Sequence, residues 1–105
     1  MAAGFFSNQN RIDMNTFSDL KFKDMPSTGG IQARMFWPNG YGVSVVRHSF
    51  SYGGEQGLYE LAVLRGSEKS SSLCYSTPVT DDVVGWQNEE GITELMRQVQ
   101  SLPSA

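Results

Sequence analysis

Apolar and polar residues alternate through the middle of the chain, and this alternation predicts β-strands. Over residues 31–37 every second side chain is apolar, which is the pattern of a strand with one buried face. Residues 43–50 form a second predicted strand. Residues 58–65 form a third, apolar on both faces as in a central strand. Residues 73–76 are a short fourth strand, and the glycine-rich connections favour an antiparallel meander.

The turn between the first two strands sets their register. A five-residue loop over residues 38–42 places Trp37 opposite Val43 and Met35 opposite Val45, with apolar side chains aligned on one face. A two-residue Asn-Gly turn, the stronger local hairpin signal, places Met35 opposite Ser44 and aligns them less well. We therefore favour the longer loop.

The end of the chain changes from strand-like to helical spacing. A stripe of apolar residues recurs every three or four positions: Ile92, Leu95, Met96, Val99 and Leu102. Asn88 is a suitable N-cap, and Pro103 ends the helix. Residues 80–85 are predicted as a single helical turn, capped by Thr80 or Asp81 and ended by Gly85.

These elements predict an α+β fold, an antiparallel meander of about four strands with one C-terminal amphipathic helix packed on one face. Residues 1–15 show no apolar period and are predicted to be a flexible N-terminal extension. Residues 16–105 are predicted to form a single α+β domain.

Composition narrows the classes of function. Eight Lys and Arg against eleven Asp and Glu give a net charge of −3, so nucleic acid is an unlikely partner. The single cysteine, Cys74, excludes an internal disulfide and fits a cytoplasmic location. No apolar run reaches the roughly 18 residues that span a bilayer, so no membrane association is expected. We expect no cofactor and no metal site.

Few residues suit catalysis, and an enzyme is not expected. His48 is the only histidine, and it would need Cys74 or a serine at position 44, 49 or 51 as a nucleophile. No motif places such a pair, so a partly exposed strand histidine is the better interpretation. The glycines at 53–57 and 40–42 join strands and lack the Lys-Ser or Lys-Thr of phosphate loops. The carboxylates at 81–82 and 89–90 are better explained as helix-start residues than as a cation site.

The predicted second face of the sheet is rich in aromatic side chains. Its candidate partner-binding residues are Arg34, Phe36, Tyr41, Val46, His48, Phe50 and Tyr52. A protein interface or a contact between two copies is the favoured interpretation, because such faces need a cover. Cover by the N-terminal segment remains open, and so does stacking of single-stranded nucleic acid, although few cations are in reach.

Four stretches carry a resemblance to a group of proteins. They read GIQARMF at 30–36, NGYGVSVVR at 39–47, SYGG at 51–54 with GLYELAVL at 57–64, and TPVTDDV at 77–83. The pattern resembles small uncharacterised proteins encoded by tailed bacteriophages and prophages. This resemblance implies an accessory protein in the bacterial cytoplasm.

The sequence therefore predicts a phage or prophage accessory protein that binds a host or phage protein. Inhibition of a host enzyme or defence system is one form of this function. One alternative is a small-molecule-binding module or minor enzyme that uses His48, Arg47 and the glycine-rich loops. Another alternative is a homodimeric structural or regulatory protein.

Overall fold

The computed structural model describes residues 14–105, and these residues form six strands and one α-helix. The elements in chain order are β1 (Lys23–Met25), β2 (Gly30–Phe36), β3 (Tyr41–Arg47), β4 (Tyr59–Gly66), β5 (Ser71–Leu73), β6 (Val84–Gln87) and α1 (Glu89–Gln100). Short 3₁₀ turns occupy Phe17–Asp19 and Gly54–Gln56. The predicted α+β fold is confirmed, with more strands than expected. Residues 1–13 of the predicted extension lie outside the described residues.

All strand pairs are antiparallel. The sheet order is β1-β2-β3-β4-β5, and β6 pairs with β4 beyond the end of β5. The strands β5 and β6 therefore share one edge of β4, with β5 near Leu64–Gly66 and β6 near Tyr59–Leu61. Both short strands are held in place by the long central strand.

The register of the first hairpin differs from both predicted registers. Met35 pairs with Val43, not with Val45. The loop is shorter than the favoured five-residue loop. The backbone N–H of Gly40 donates to the carbonyl of Trp37 at 3.1 Å, and Gly40 adopts a φ of 89°. A turn that ends in a left-handed glycine is typical of three-residue hairpin loops. Because side chains alternate, this two-residue shift from the favoured register leaves the side chains of residues 31–36 and 43–47 on their predicted faces.

The segment before the helix is the second difference. The predicted helical turn at 80–85 is wrong, since Val84–Gln87 is a strand. The Thr80 hydroxyl donates to the carbonyl of Asp82 and accepts from its backbone N–H at 2.9 Å. Such local bonds compete with helix formation, and the free edge of β4 takes up the following residues.

The core lies between the sheet and α1. The fully buried side chains are Leu61, Ile92, Met96, Val43, Val45, Val63 and Val99. The predicted helical stripe therefore faces the sheet, with Leu95 and Leu102 packed at its margins. The predicted cap is present, because Asn88 Oδ1 accepts from the backbone N–H of Gly91 at 2.8 Å.

Residues 15–22 cover the same face of the sheet as the helix. The backbone N–H of Phe17 donates to Thr93 Oγ1 at 3.0 Å, and that of Asn15 donates to Gln100 Oε1 at 2.8 Å. Leu20 is buried in the core beside them. This part of the N-terminal segment therefore does not cover the second face.

The second face of the sheet is concave. Arg34 on β2 donates from Nη2 to Ser71 Oγ on β5 at 3.0 Å, although two strands separate β2 from β5. In a flat sheet these strands would lie about 14 Å apart. The sheet therefore curls, and Ala62 and Leu64, which point to this face, are buried.

Candidate functional site

The residues predicted to bind a partner do not form one surface. Arg34 and Phe36 lie towards the β2–β3 hairpin, because Phe36 pairs with Gly42 at the start of β3. His48 follows the end of β3. It lies about 20 Å along the strand from Gly42, the partner of Phe36, at the rise per residue of an extended strand. The predicted aromatic platform is therefore divided between the two ends of the sheet.

Tyr41 is on the opposite face from the one predicted. It shares its strand parity with the buried residues Val43 and Val45, and it packs against the core. Its assignment to the second face is wrong because the three-residue loop brings Tyr41 into β3. Alternation then directs its side chain to the helix side.

The Phe36 and Arg34 side chains pack against each other and do not form an open aromatic surface. The Phe36 ring lies over Gly42, where a Cβ would collide with it, and the Arg34 guanidinium carbon is 5.1 Å from the centre of that ring. Phe36 and Val46 are partly buried. The Phe36 ring is therefore packed between Gly42 and the Arg34 guanidinium and is not part of an open aromatic surface.

The most exposed large apolar side chains lie at the other end of the sheet. Their exposed fractions are 81% for Phe50, 60% for Tyr52 and 59% for Trp86, the three highest for such residues in the described part of the chain. We call these three residues the aromatic patch. Tyr52 and Trp86 are joined through the backbone, because the N–H of Trp86 donates to the carbonyl of Tyr52 at 3.1 Å.

The loop that carries Phe50 and Tyr52 is held by its own hydrogen bonds. Ser51 Oγ donates to the carbonyl of His48 and accepts from its backbone N–H, both at 2.9 Å. The backbone N–H of Tyr52 donates to Glu60 Oε1 on β4 at 2.9 Å. Ser51 is buried, so the loop is anchored between its two exposed aromatic residues. Their exposure is thus built into a bonded loop.

Trp86 has the most unusual backbone of the three. Its φ is 60°, and it is the only residue other than glycine with a positive φ among residues 14–105. A bulky side chain in this region is a genuine outlier, because Cβ approaches the neighbouring carbonyl. Bulky residues keep such conformations only where the surrounding structure imposes them, and such positions cluster at functional sites.

A β-bulge causes the conformation of Trp86. Leu61 pairs with Val84 and Tyr59 with Gln87, so one extra residue of β6 stands opposite β4. A bulge turns a side chain away from the regular alternation of the strand. Gly53 makes room for Trp86, because a Cβ there would lie 3.0 Å from the Trp86 Cα and 3.2 Å from its Cε3.

His48 is fixed beside the patch. Its Nδ1 accepts from the backbone N–H of Phe50 at 3.1 Å, and the His48 and Phe50 ring centres are 6.3 Å apart. Ser51 bonds the backbone of His48 and not its imidazole. Cys74 is buried, and its Sγ lies 3.5 Å from Ser76 Oγ. Hydrogen bonds from Ser76 lower the pKa of the Cys74 thiol. No hydrogen bond between described residues joins the His48 ring to a serine or to Cys74.

His48 also borders a small pocket of about 310 Å³. The pocket is lined by Gly29, Gly30, Ile31, Arg47, His48, Ser49, Gly54 and Glu55. The structure thus brings Arg47 and His48 together with one predicted glycine-rich loop. The other loop, at residues 40–42, lies at the far end of β3.

Within residues 14–105, no three His, Cys, Asp or Glu side chains are placed to hold a metal ion. In the same part of the chain, no helix is long and apolar enough to cross a membrane. Glu89 and Glu90 lie in the first turn of α1, where carboxylates favour the helix dipole.

The sequence pattern found Phe50 and Tyr52 but not Trp86. The position of Trp86 depends on pairing between β4 and β6, which are far apart in the chain. The pair Val83-Val84 suits a strand, whereas the cap residues Thr80 and Asp81 before it and Gly85 after it favour the predicted helical turn.

The geometry of this chain carries the inference of function. Comparison with models of protein families, with curated proteins and with solved structures finds none that matches the chain.

Proposed function

We propose that this chain is a non-enzymatic binding protein whose aromatic patch is the contact surface for another protein. The partner is a host or phage protein, in keeping with the resemblance of the sequence to small phage and prophage proteins. The proposed place of action is the bacterial cytoplasm. Inhibition of a host enzyme or defence system is one form that this function can take.

The observation that carries the proposal is that Trp86 is exposed and has its backbone in the left-handed region. Tryptophan and tyrosine are enriched among the residues that dominate binding energy at protein interfaces. A tryptophan with 59% of its surface exposed and φ at 60° costs stability in the free protein. Tyr52, which is joined to Trp86 through the backbone, and Phe50 in the same loop are also exposed, and the bonded loop presents them with little ordering left to lose on binding.

The test begins with a partner captured by crosslinking in bacteria that express the full chain. The purified pair is then measured with the wild-type protein, with Trp86→Ala and with Leu73→Ala as the matched control. Leu73 is 54% exposed and pairs with Leu64 at the other end of β4. We expect Trp86→Ala to weaken binding by about 30-fold or more, and Leu73→Ala to leave it unchanged.

Two outcomes contradict the proposal. One is equal affinity of wild type and Trp86→Ala for the captured partner, with both proteins folded. The other is capture only of a second copy of the chain, with the mass of a dimer in solution, which would favour the homodimeric alternative.

A second candidate function is small-molecule binding at the pocket beside His48. The observation in its favour is the pocket itself, where Arg47 and His48 meet Gly54. His48→Ala discriminates between the two functions. Loss of activity towards a small molecule in a folded His48→Ala protein favours the pocket, whereas an effect confined to Trp86→Ala favours the patch.

A further inference from the structure

Three cationic side chains line one cavity on the concave face of the sheet. The cavity has a volume of about 490 Å³ and is lined by Lys21, Lys23, Asp24, Gln32, Arg34 and Glu68. Three cations and two carboxylates make it locally positive in a chain whose net charge is −3. The cavity is separate from the aromatic patch and from the pocket beside His48.

Strand register places these cations side by side. Lys23 pairs with Gln32, two residues before Arg34 on β2, and Lys21 precedes β1 by two residues and lines the same cavity. Like charges that face each other across a strand pair destabilise a sheet. Lys21, Lys23 and Arg34 therefore converge on one cavity beside the β1–β2 strand pair. An anion between them would convert this repulsion into attraction.

The acidic neighbours do not neutralise the cluster. Among residues 14–105, the one ion pair within 4.0 Å joins Arg97 to Glu94, which lie on the helix. Asp24 and Glu68 therefore line the cavity without direct pairing to its cations. The charges of Lys21, Lys23 and Arg34 remain available to a ligand.

Arg34 is already oriented for binding. Its Nη2 donates to Ser71 Oγ at 3.0 Å, and its guanidinium carbon lies 5.1 Å from the centre of the Phe36 ring. A guanidinium has five N–H donors, so most of them stay free after the bond to Ser71. Gln32 is fixed as well, because its Nε2 donates to Ser44 Oγ at 2.9 Å. A planar donor fork held in place suits a phosphate or carboxylate group.

We propose that this cavity binds the phosphate group of a small phosphorylated molecule. The lining has a net charge of +1, and its cations form no ion pair with Asp24 or Glu68, so all three can bind one multiply charged group. A phosphate is such a group, with a charge of about −1.5 to −2 near neutral pH. The volume falls within the range of small-molecule sites and exceeds the needs of an inorganic ion. The ligand therefore has an organic part, as a sugar phosphate or a nucleoside phosphate does.

The test is a titration of the full chain followed by amide chemical shifts in NMR spectra. The probes are pyrophosphate, a sugar phosphate, a nucleoside diphosphate and citrate, which is a phosphate-free anion of similar charge. We expect saturable shifts at residues 21–24, 32–34 and 68–71 with pyrophosphate and with one of the two organic phosphates. The organic phosphate that binds more tightly identifies the source of the phosphate group.

Variants make the result specific. Arg34→Gln and Lys23→Gln should each weaken binding by about 10-fold or more, which is the usual scale for a bond to a charged group. Arg65→Gln changes the net charge equally at a residue outside the cavity and should bind like wild type. Trp86→Ala should also bind like wild type, because this site is independent of the proposed protein interface.

Several results would overturn the proposal. Citrate binding as tightly as pyrophosphate would remove the preference for phosphate, and an equal loss in Arg65→Gln would reduce the effect to overall charge. An oligonucleotide that binds much more tightly than any mononucleotide would indicate a nucleic-acid surface instead. Absence of saturable shifts in a folded protein would contradict the site itself.

Discussion

Glycine and alanine at position 86 should rank in the opposite order of stability from the one found at an ordinary strand position. Both variants lose the indole ring, so they differ only in how well the backbone tolerates the φ of 60° at this position. Within regular strands glycine is less stable than alanine by about 0.5–1 kcal/mol. At position 86 we expect glycine to be the more stable of the two.

The magnitude follows from two opposing effects. An L-residue in the left-handed region loses about 1–2 kcal/mol, which glycine avoids. The greater freedom of glycine in the unfolded chain costs about 0.4–1 kcal/mol. Trp86→Gly should therefore exceed Trp86→Ala by about 1 kcal/mol in free energy of unfolding. For a domain of this size that difference raises the midpoint of thermal unfolding by about 4–8 °C.

The assay is urea and thermal unfolding of both variants, together with Ser72→Gly and Ser72→Ala as controls. Ser72 is exposed on β5 and does not have a positive φ. Alanine should be the more stable substitution at Ser72. If alanine is at least as stable as glycine at position 86 too, Trp86 does not occupy a strained conformation, and the main support for its role is lost.

Three further predictions concern the fold that presents the patch. Asn39→Ala should cost about 1–2 kcal/mol in urea unfolding, because Asn39 Nδ2 donates to the carbonyls of Val99 and Leu102, at and just after the end of the helix, at 2.9 and 3.2 Å; an unchanged midpoint would show that these bonds add nothing. Met96→Ala should cost about 2–5 kcal/mol, since the side chain is fully buried, and a loss below 1 kcal/mol would contradict that packing. The backbone N–H of Thr16 donates to Asp19 and, with a hydrogen bond from Asn15, lowers the pKa of Asp19 below 3.8. The stabilisation by the ionised Asp19 carboxylate is therefore present above pH 3.8 and is lost as the pH falls through the lowered pKa. The stability difference between wild type and Asp19→Asn should accordingly be largest near neutral pH and vanish in acid, and a difference that persists in acid would contradict this cause.

The long elements of the fold were predictable because their signals are local. Alternation over residues 31–37 identified β2, and the apolar stripe around Met96 identified the helix and its buried face. The strand β1 has three residues and β6 has four, which is too short for periodicity to separate from loops. The hairpin register depended on the left-handed backbone of Gly40, and the sequence allows several turns there.

The candidate site was predictable only in part, for the same physical reason. Phe50 is the last residue of the strand predicted at 43–50, and Tyr52 follows in a glycine-rich connection. The observed strand β3 ends earlier, at Arg47, so both residues lie in the exposed loop after it. Trp86 joins them only because β6 pairs with β4 through a bulge. Curling of the sheet also depends on distant contacts such as Arg34 with Ser71, which no local pattern reports.

The two tryptophans of the chain allow the most direct measurement of the proposed interface. Trp37 lies at the β2–β3 hairpin and donates from Nε1 to Asn15 Oδ1 at 2.8 Å, whereas Trp86 lies in the aromatic patch. Addition of the captured partner should shift or broaden the indole N–H resonance of Trp86 and leave that of Trp37 in place. A complex in which the Trp86 resonance stays unchanged, whether or not Trp37 moves, would contradict binding through the aromatic patch.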